Sequence, residues 1–487
     1  MVKASIFDLD GNEVVSQRVK LHTVYPGHDR VERDYSELRA GVYAVIRNAL
    51  DHFEPGAKAI NGIGVTGQAN GLYLFDARGN PLGRAILSSD MRAKKLVEQW
   101  NEDGTCLRIL PKTRQALWAG QTAVLMSWFA RYEPDILNDA ETCVTAMDYV
   151  RYLLTGEFCM EETQRSSMSI VDLNTGLLSE EVALELGIKF CLGKFPGKVV
   201  GSTEICGKVT REAAKNTGLQ EGTPVSGGLI DTAACLISQG ITEEEMLGMI
   251  VGTWGINAYI SREDIVSKDI FSAFNYCIPG YRLILEGSAT SAVNLEWYIE
   301  EFLRPIGGNA CSYDEINRMV EASDFRENLI FLPFLYGSNA GLKAKAAFVG
   351  LKAEHTKANM LRSIFEGVAF CHLYHIERLL KFRNMPSTVR IAGGAAKSKV
   401  WMQMFADVLG VKIEVSKAGE LGALGAAMTA GVGMNAYGSM EEAAKRMERI
   451  DTVYEPRVAF HALYQKKYRL YKKLVQCLDE IWDEMDS

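Results

Sequence analysis

Short apolar runs and longer amphipathic stretches alternate along the chain. Short runs predict strands at residues 5–7, 13–15, 60–66, 72–75, 223–226, 249–251, 330–335, 389–391 and 412–415. Apolar residues spaced three or four apart predict helices at residues 38–50, 125–132, 150–154, 231–238, 358–380, 399–409 and 422–430. Strands that alternate with helices are typical of α/β folds, so we predict that fold class.

Two local patterns predict how some of these elements pack. Asp10-Gly11-Asn12 lies between the first two apolar runs and predicts a hairpin. The run at 60–66 ends at Gly67, and we expect 72–75 to be its hairpin partner. The helix at 422–430 consists almost wholly of Gly and Ala. Because Gly costs a helix about 1 kcal/mol relative to Ala, we expect close backbone packing there as compensation.

The length of the chain indicates two domains. It has 487 residues, whereas a single hydrophobic core stops growing at about 250–300 residues. The acidic stretch 243–245 follows Gly240, and we place the boundary there. The prediction is one domain at 1–243 and another at 244–487, the second ending in a helical tail.

Composition and charge exclude several classes of protein. Hydrophobic residues make up 47% and charged residues 23%, which excludes a disordered chain. The net charge of −8 argues against nucleic acid as a partner. One basic cluster (Lys466, Lys467, Arg469, Lys472 and Lys473) shares its segment with three tyrosines at helical spacing. We interpret it as a helix with a packed aromatic face and a solvated basic face; an anionic membrane surface is the alternative.

The cysteines and histidines favour an intracellular chain without a metal centre of its own. Ten cysteines are scattered without a CxxC pair, as expected for reduced thiols. His372 and His375 share a predicted helix with Cys371, but no second ligand pair follows, so packed or surface histidines are favoured over a metal site. We find no signal peptide and no apolar stretch long enough to cross a bilayer, and therefore expect a cytoplasmic protein.

Candidate chemistry lies where predicted strands end in glycine-rich turns. The first turn, Gly227-Gly228, is followed after two residues by Asp231 at the start of a predicted helix. Asp231 could cap that helix. Alternatively, its carboxylate could act as a general base on a hydroxyl group.

Two more glycine-rich turns follow in the second half. Gly252-Thr253-Trp254-Gly255 could expose backbone N–H groups and a hydroxyl to a phosphate, or could be an ordinary hairpin turn. Gly393-Gly394 precedes Ser398 and a helix. It matches neither the Walker pattern nor G-x-G-x-x-G, but strand, Gly-Gly and helix in this order are common in nucleotide-binding turns.

Taken together, these turns and two further segments resemble the FGGY family of carbohydrate kinases. The resembling segments are 64–68, 86–92, 227–231, 252–254 and 393–398, with Trp401, Gln403 and Asp407. The resemblance runs from Lys3 to about Tyr471. It implies two actin-like, ribonuclease-H-like domains around a central cleft. It also implies a sugar kinase that uses ATP and Mg²⁺.

The resemblance also assigns roles to single residues. Asp231 would contact the attacking sugar hydroxyl and take its proton. The other assigned contacts are Gln68, Asp90 and Arg92 to the sugar, Gly252 and Thr253 to the γ-phosphate, and Gly393, Gly394 and Ser398 to the adenosine. No residue is assigned to the metal. Phosphoryl transfer asks a protein mainly for positioning and charge stabilisation, which suits these residue types.

Two observations bear on the sugar. Family members that act on D-xylulose read Gly-Gln-Met-His-Gly where this chain has Ala69 and Asn70 in the run 67–71, which argues against that substrate. The segments most similar to members that act on L-xylulose are 86–93, 252–254, 290–297 and 332–342. We therefore expect L-xylulose as substrate, giving L-xylulose 5-phosphate. The alternative is another ketose or polyol: D-xylulose, L-ribulose, erythritol or glycerol.

The beginning of the chain departs from the family pattern. Members open with an apolar strand and then Asp-x-Gly-Thr or Asp-x-Gly-Ser, whereas residues 1–8 match only the following strand. We expect the first strand and its phosphate-facing aspartate to be missing, with the true start about 10–15 residues upstream. If the strand is truly absent, a non-catalytic actin-like sugar- or nucleotide-binding protein is the alternative. A homodimer stays open.

Overall fold

The computed structural model describes residues 1–303, 311–338, 343–417 and 419–485. The chain forms two compact units. Unit 1 comprises Met1–Thr242, Ser261–Leu283 and Ala418–Glu448. Unit 2 comprises Glu243–Ile260, Ile284–Lys417 and Arg449–Ser487. The domain boundary at residue 243 stays a prediction.

Short strands and helices alternate through the first 242 residues. The strands are β1 (Val2–Phe7), β2 (Glu13–Val19), β3 (Val24–Gly27), β4 (Arg30–Arg33), β5 (Thr66–Gly67), β6 (Tyr73–Phe75), β7 (Ala85–Ile86), β8 (Thr142–Val144), β9 (Met160–Glu161), β10 (Val171–Asp172), β11 (Leu177–Leu178), β12 (Val199–Val200), β13 (Ile205–Lys208), β14 (Pro224–Ser226) and β15 (Leu229–Ile230). The helices are α1 (Tyr35–Asp51), α2 (Lys94–Glu102), α3 (Thr105–Thr113), α4 (Thr122–Tyr132), α5 (Pro134–Asp139), α6 (Ala146–Thr155), α7 (Glu162–Ser166), α8 (Glu180–Glu185), α9 (Arg211–Thr217) and α10 (Asp231–Ser238).

The rest of the chain has longer strands and helices. The strands are β16 (Leu247–Val251), β17 (Gly255–Ser261), β18 (Ser272–Asn275), β19 (Arg282–Ser288), β20 (Ile330–Leu332), β21 (Ala347–Val349), β22 (Thr388–Ala392), β23 (Lys412–Ser416) and β24 (Ile450–Tyr454). The helices are α11 (Val293–Tyr298), α12 (Tyr313–Ala322), α13 (Lys357–Leu379), α14 (Lys399–Leu409), α15 (Leu421–Gly433), α16 (Met440–Met447), α17 (Val458–Cys477) and α18 (Asp479–Met485).

The N-terminal hairpin is confirmed, but the second predicted hairpin is wrong. β1 and β2 are antiparallel, with Ile6 opposite Val15. β5 instead pairs in parallel with β15, and β6 pairs with β8. Asn70 and Gly71 both have positive φ, 65° and 79°, and a Cβ on Gly71 would lie 2.6 Å from the Ile86 carbonyl oxygen. These two residues turn the chain away from β5, so β6 joins another neighbour.

Unit 2 is built on a sheet whose inner strands are parallel. β17, β16, β22, β23 and β24 lie side by side in that order. β16 is parallel to β22, and β22 is parallel to β23. α14 connects β22 to β23, as parallel neighbours need a crossover connection. Leu247, Met249 and Val251 of β16 are fully buried, which places this strand in the core.

The predicted close packing of the Gly- and Ala-rich helix is confirmed within unit 1. α15 packs against α10, and a Cβ on Gly425 would lie 2.4 Å from the carbonyl oxygen of Ala234. On another face, a Cβ on Gly64 would lie 1.8 Å from the carbonyl oxygen of Ala426. The backbones touch because side chains are lacking at these points.

The basic C-terminal segment is a helix, α17, but one of its lysines was misplaced in the prediction. Tyr464, Tyr468 and Tyr471 are buried, as the aromatic face requires. Lys467 is buried too, at 5% exposure, and forms an ion pair with buried Glu366. It therefore belongs to the packed side of α17 rather than to the solvated basic face, because its flexible stem can pack while its charge is neutralised by a partner.

Candidate functional site

In unit 1, two residues assigned to the site follow paired parallel strands. Leu229 of β15 lies opposite Thr66 of β5, and Ile230 lies opposite Gly67. Asp231 directly follows β15, and Gln68 directly follows β5. Carboxyl ends of parallel strands are where α/β folds bind ligands. The structure thus brings together two positions that are more than 160 residues apart in sequence.

The Gly227-Gly228 turn has no room for side chains. Gly228 has a φ of 75°, and a Cβ there would lie 1.9 Å from the carbonyl oxygen of Val65. A Cβ on Gly227 would lie 2.2 Å from the carbonyl oxygen of Gly201. The two glycines therefore let the chain pass between β5 and the 201 turn and deliver Asp231 to the end of β15.

Asp231 opens α10 without being its N-cap. The N-cap residue is Ile230, and the Asp231 carboxylate accepts a hydrogen bond from Thr232 N at 2.7 Å through Oδ1. Among the described residues, no donor reaches Oδ2. Burial raises the pKa of Asp231 to about 6, although the bond from Thr232 opposes the shift. A carboxylate with a raised pKa and an unused oxygen suits proton transfer better than helix capping.

The side-chain amide of Gln68 can donate a hydrogen bond to a ligand. Its Nε2 is buried and has no hydrogen-bond partner in the described part of the chain. The Oγ1 atom of Thr66, two residues earlier, is in the same state. Buried polar groups are nearly always bonded, and these two atoms lie on and directly after the strand that pairs with β15, so they can bond a polar ligand there.

Asp90 and Arg92 form a buried ion pair in unit 1. Both Asp90 oxygens are occupied: Oδ1 by Arg92 N and Nε at 3.0 and 2.8 Å, and Oδ2 by Val31 N and Arg92 Nη2 at 2.6 and 2.9 Å. Arg92 also pairs with Glu32 at 2.6 Å. Asp90 is fully buried and Arg92 is 6% exposed. In this arrangement Asp90 orients Arg92, and their sugar contacts stay a prediction.

Several residues that support residues 227–231, called the Asp231 turn below, were not predicted from the sequence. Arg151 is fully buried and donates to the carbonyl oxygen of Gly227. The Ile230 N–H donates to Thr163 Oγ1 at 3.1 Å, and the Gly228 N–H donates to the Ser202 carbonyl oxygen at 2.9 Å. These residues come from α6, α7 and the turn after β12, so no local pattern marks them. Only the tertiary fold brings them to the turn.

In unit 2, the two other glycine-rich turns also follow adjacent parallel strands. Ile250 of β16 lies opposite Ala392 of β22, so Gly252 and Gly394 follow at the same edge. Gly393 has a φ of 106°, and a Cβ there would lie 2.4 Å from the carbonyl oxygen of Val251. Gly394 faces open space, since a Cβ added to it would have no protein atom within 4 Å. Bare backbone at this edge can approach a phosphate or a nucleoside closely.

The turn at 252–254 is a hairpin turn, as one interpretation of the sequence expected. Val251 of β16 lies opposite Gly255 of β17. The segment before α11 holds the turn: Ser291 N donates to the Thr253 carbonyl oxygen at 3.1 Å, and Ala292 N donates to that of Gly252 at 2.9 Å. The side chain of Thr253 is exposed. A firmly held turn with an exposed hydroxyl is also what a phosphate contact requires, so both interpretations are compatible.

Ser398, which the resemblance assigns to the adenosine, and the residues that follow it mostly support α14. Ser398 is the N-cap of this helix, accepting from Trp401 N at 3.2 Å and donating to Asn317 Oδ1 at 2.7 Å. Trp401 stacks on Phe365 with ring centroids 4.1 Å apart. Asp407 is buried and pairs with Arg457 at 2.5 Å. Ser398 and its neighbours therefore fix the helix behind the Gly393-Gly394 turn, and the adenosine contact of Ser398 stays a prediction.

Other candidate chemistry is limited. His372 is buried and bonds Asn257 Oδ1 at 2.8 Å and Ser291 Oγ at 2.9 Å, so it packs beneath the 252–254 turn. Within the described ranges, no three His, Cys, Asp or Glu side chains are grouped to hold a metal. All ten cysteines are free thiols. No helix of the described chain has the length and apolar character to span a membrane. Part of the segment 332–342, at 339–342, lies outside the described residues.

Both halves of the chain match models of one protein family. Residues 1–238 match the N-terminal domain of the FGGY family of carbohydrate kinases, and residues 247–434 match its C-terminal domain. The two matches together cover most of the chain.

Two curated relatives match almost end to end. The chain is 38% identical over 481 residues to the L-xylulose/3-keto-L-gulonate kinase of Escherichia coli strain K12, covering 98% of this chain and 95% of that protein. It is 35% identical over 479 residues to a probable L-xylulose kinase of Pasteurella multocida, covering 98% and 96%.

Solved structures share the fold. A gluconate kinase and a ligand-bound xylulose kinase, both from Lactobacillus acidophilus, each superimpose with a TM-score of 0.91 at 22% identity. Each comparison covers 99% of this chain and 97% of the other. The predicted α/β fold of the actin-like, ribonuclease-H-like class is confirmed.

Proposed function

Because the chain belongs to the FGGY family of carbohydrate kinases, we propose that it transfers the γ-phosphoryl group of ATP to a hydroxyl of L-xylulose, giving L-xylulose 5-phosphate. The observation that carries the choice of sugar is the 38% identity, over 98% of this chain, to a kinase named for L-xylulose and 3-keto-L-gulonate. The Ala69-Asn70 pair, which replaces the Met-His of members acting on D-xylulose, supports the same choice.

In this proposal Asp231 is the general base. The sugar hydroxyl gives its proton to the free Oδ2 atom as its oxygen bonds to phosphorus, and the bond from phosphorus to the ADP oxygen breaks. Burial raises the pKa of Asp231 to about 6, so the carboxylate is ionised at neutral pH yet more basic than an ordinary aspartate. The unpaired Gln68 Nε2 is a donor for a sugar oxygen, and Arg92 is a further sugar contact oriented by Asp90.

The nucleotide side of the proposal uses the two turns of unit 2. The backbone of Gly252 and the N–H and hydroxyl of Thr253 contact the γ-phosphate, while Gly393, Gly394 and Ser398 lie along the adenosine. The fit rests on the bare glycine backbone at the ends of β16 and β22. A Cβ on Gly394 would meet no protein atom within 4 Å, and one on Gly252 only the Trp254 carbonyl oxygen at 3.8 Å, whereas Gly393 has no room for a side chain. Mg²⁺ needs only one or two carboxylates besides the phosphates of ATP, so a group of three acidic ligands is not required. When bound, it supplies charge neutralisation on the phosphates.

A second candidate substrate is 3-keto-L-gulonate, because the same Escherichia coli relative is named for it. It differs from a pentulose by carrying a carboxylate. A protein that accepts it needs a cation or several N–H donors near the far end of the sugar. Comparing the two substrates at equal concentration distinguishes the candidates.

The decisive experiment is a coupled assay of ADP release with Mg²⁺, ATP and each sugar, using the natural chain and Asp231→Asn. We expect Asp231→Asn to lower kcat at least 100-fold, the usual contribution of a general base, while ATP still binds. Asp76→Asn is the matched control, since Asp76 only stabilises a surface turn through Asn80 N and Arg78 N. Turnover that survives in Asp231→Asn would refute the role of Asp231. If the natural chain turns over neither of the two sugars, both proposed substrates are refuted.

The ATP requirement and the absence of CxxC pairs in the sequence are the grounds for proposing a cytoplasmic location. A homodimer stays a prediction, for which the oligomeric state in solution is the test.

A further inference from the structure

We propose that the buried carboxylate of Glu161 is a positioning residue that holds the turn carrying Asp231. This inference rests on the proposed function of Asp231 as the base. Glu161 ends β9, the strand that pairs in parallel with β12, and α7 begins at the next residue. It does not belong to any segment through which the sequence suggested a site.

Both oxygens of Glu161 hold hydroxyl groups. Oε2 accepts from Thr163 Oγ1 at 2.6 Å and from Gln164 N at 3.0 Å. Oε1 accepts from Ser202 Oγ at 2.6 Å. Glu161, Thr163 and Ser202 are called the Glu161 cluster below. Both hydroxyl bonds are 2.6 Å long, shorter than the usual O–H···O distance of about 2.7–2.8 Å, so the three side chains are held closely together.

The cluster in turn holds two backbone groups of the Asp231 turn. Thr163 Oγ1 accepts the N–H of Ile230 at 3.1 Å, and this residue directly precedes Asp231. The Ser202 carbonyl oxygen accepts the N–H of Gly228 at 2.9 Å. The carboxylate therefore reaches both ends of the short strand β15 through one intermediate residue on each side.

Burial shows that this arrangement is more than a helix cap. Glu161 is fully buried, and Thr163 and Ser202 are only 1% and 7% exposed. Burial raises the pKa of Glu161 to about 7, against the effect of the bonds from Ser202 and Thr163. Of the neighbouring titratable groups, Cys277 has its pKa raised by burial and by the charge of Glu161. Capping α7 needs only the bond from Gln164 N. An N-cap serine or asparagine would supply it without burying a carboxyl group that also bonds Ser202.

The first test removes the link and then restores it. Thr163→Val keeps the shape of the side chain but leaves the Ile230 N–H without its acceptor, whereas Thr163→Ser keeps the hydroxyl. We expect Thr163→Val to lower kcat with the sugar about 10- to 100-fold, because small displacements of a reacting group are this costly. The KM for ATP should stay unchanged, and Thr163→Ser should recover most of the loss. Thr210→Val is the matched control, because Thr210 caps α9 in the same unit through Ala213 N.

A pH profile separates positioning from simple destabilisation. A looser turn exposes Asp231 to water, so its pKa falls toward that of an ordinary aspartate. The acidic limb of kcat/KM for the sugar should therefore move down by about one pH unit in Thr163→Val and Glu161→Ala. Glu161→Gln should keep the limb in place, since its amide oxygen can accept from Thr163 and Gln164 while its NH₂ group donates to Ser202. A variant that is merely less stable contains less folded protein, but the pKa of Asp231 in the folded molecules does not change, so the acidic limb stays at the same pH.

Hydrogen exchange measures the hydrogen bond from Ile230 N to Thr163 Oγ1 without any assay of turnover. The amide of Ile230 should exchange at least tenfold faster in Thr163→Val than in the natural chain and in Thr163→Ser, while the amides of α9 stay unchanged. Unchanged exchange at Ile230 together with an unmoved acidic limb in Thr163→Val and Glu161→Ala overturns the inference. If Thr163→Val does not fold, Glu161→Ala decides alone: unchanged exchange at Ile230 in that variant overturns the inference. Turnover that survives in Asp231→Asn would instead refute the role of Asp231 as the base. The exchange rates at Ile230 would then still test whether the Glu161 cluster holds the turn.

Discussion

Single residues in unit 1 acquire their chemistry from burial and from unsatisfied atoms. Asp231 and Gln68 follow paired strands. Asp231 accepts from Thr232 N through Oδ1, and the Nε2 atom of Gln68 is buried without a partner among the described residues. Asp90, which the sequence placed beside them as a sugar contact, has both oxygens occupied by Arg92 and Val31. The same residue type therefore serves two purposes, and the number of partners already bound to its oxygens distinguishes them.

The pH dependence of turnover follows from the pKa of Asp231, which burial raises to about 6. A general base must be ionised, so activity is present above this pKa and is lost as the pH falls through it. We expect kcat/KM for the sugar to fall about tenfold for each pH unit below 6. A rate–pH series between pH 4.5 and 8 on the natural chain measures this, with the stability of the protein checked at each pH. A limb near pH 4, where ordinary aspartates titrate, would mean that the surroundings of Asp231 do not raise its pKa.

Secondary elements were largely predictable, and their neighbours were not. α10 and α14 begin and end at the predicted residues, because each has an apolar face and a clear start signal. The strand pairs that build the site, β5 with β15 and β16 with β22, join residues far apart in the chain. Local periodicity reports which face of a strand is buried but not which strand lies beside it. For this reason the sequence missed Arg151, Glu161 and Ser202, whose role exists only in the tertiary structure.

The packing of α15 against α10 gives a test at two glycines of one helix. In Gly425→Ala the new Cβ would lie 2.4 Å from the carbonyl oxygen of Ala234, so α10 and α15 must separate. Overpacking of this kind costs about 1–3 kcal/mol, and we expect the free energy of unfolding to fall by that amount. Urea unfolding curves measure the change.

Gly422→Ala is the matched control for that experiment. Its Cβ would meet only Cys235 Sγ and Thr66 Cγ2, each at 3.9 Å, which is ordinary contact. Alanine also favours helix over glycine by about 1 kcal/mol, so this variant should be slightly more stable than the natural chain. Equal effects of the two alanines would contradict the packing of α15 on α10, because helix propensity alone treats both positions alike.

The molecule as a whole divides the work between two units, each with its own pair of parallel strand ends. Unit 1 carries Gln68 and Asp231 after β5 and β15, and unit 2 carries Gly252 and Gly394 after β16 and β22. The repeated arrangement places the proposed sugar contacts and the proposed nucleotide contacts in different units. Substitutions in one unit should then change the binding of one ligand and leave the binding of the other intact.

Gly394→Ala tests this division, because its Cβ would meet no protein atom within 4 Å and the fold should tolerate it. If the adenosine lies against Gly394, the added methyl group occupies its place, and we expect the Kd for ATP to rise at least tenfold, a change of about 1.4 kcal/mol. The Kd for the sugar, measured by calorimetry, should stay the same. Gly197→Ala is the control, since Gly197 in unit 1 also faces open space. An unchanged Kd for ATP in Gly394→Ala would place the nucleotide elsewhere.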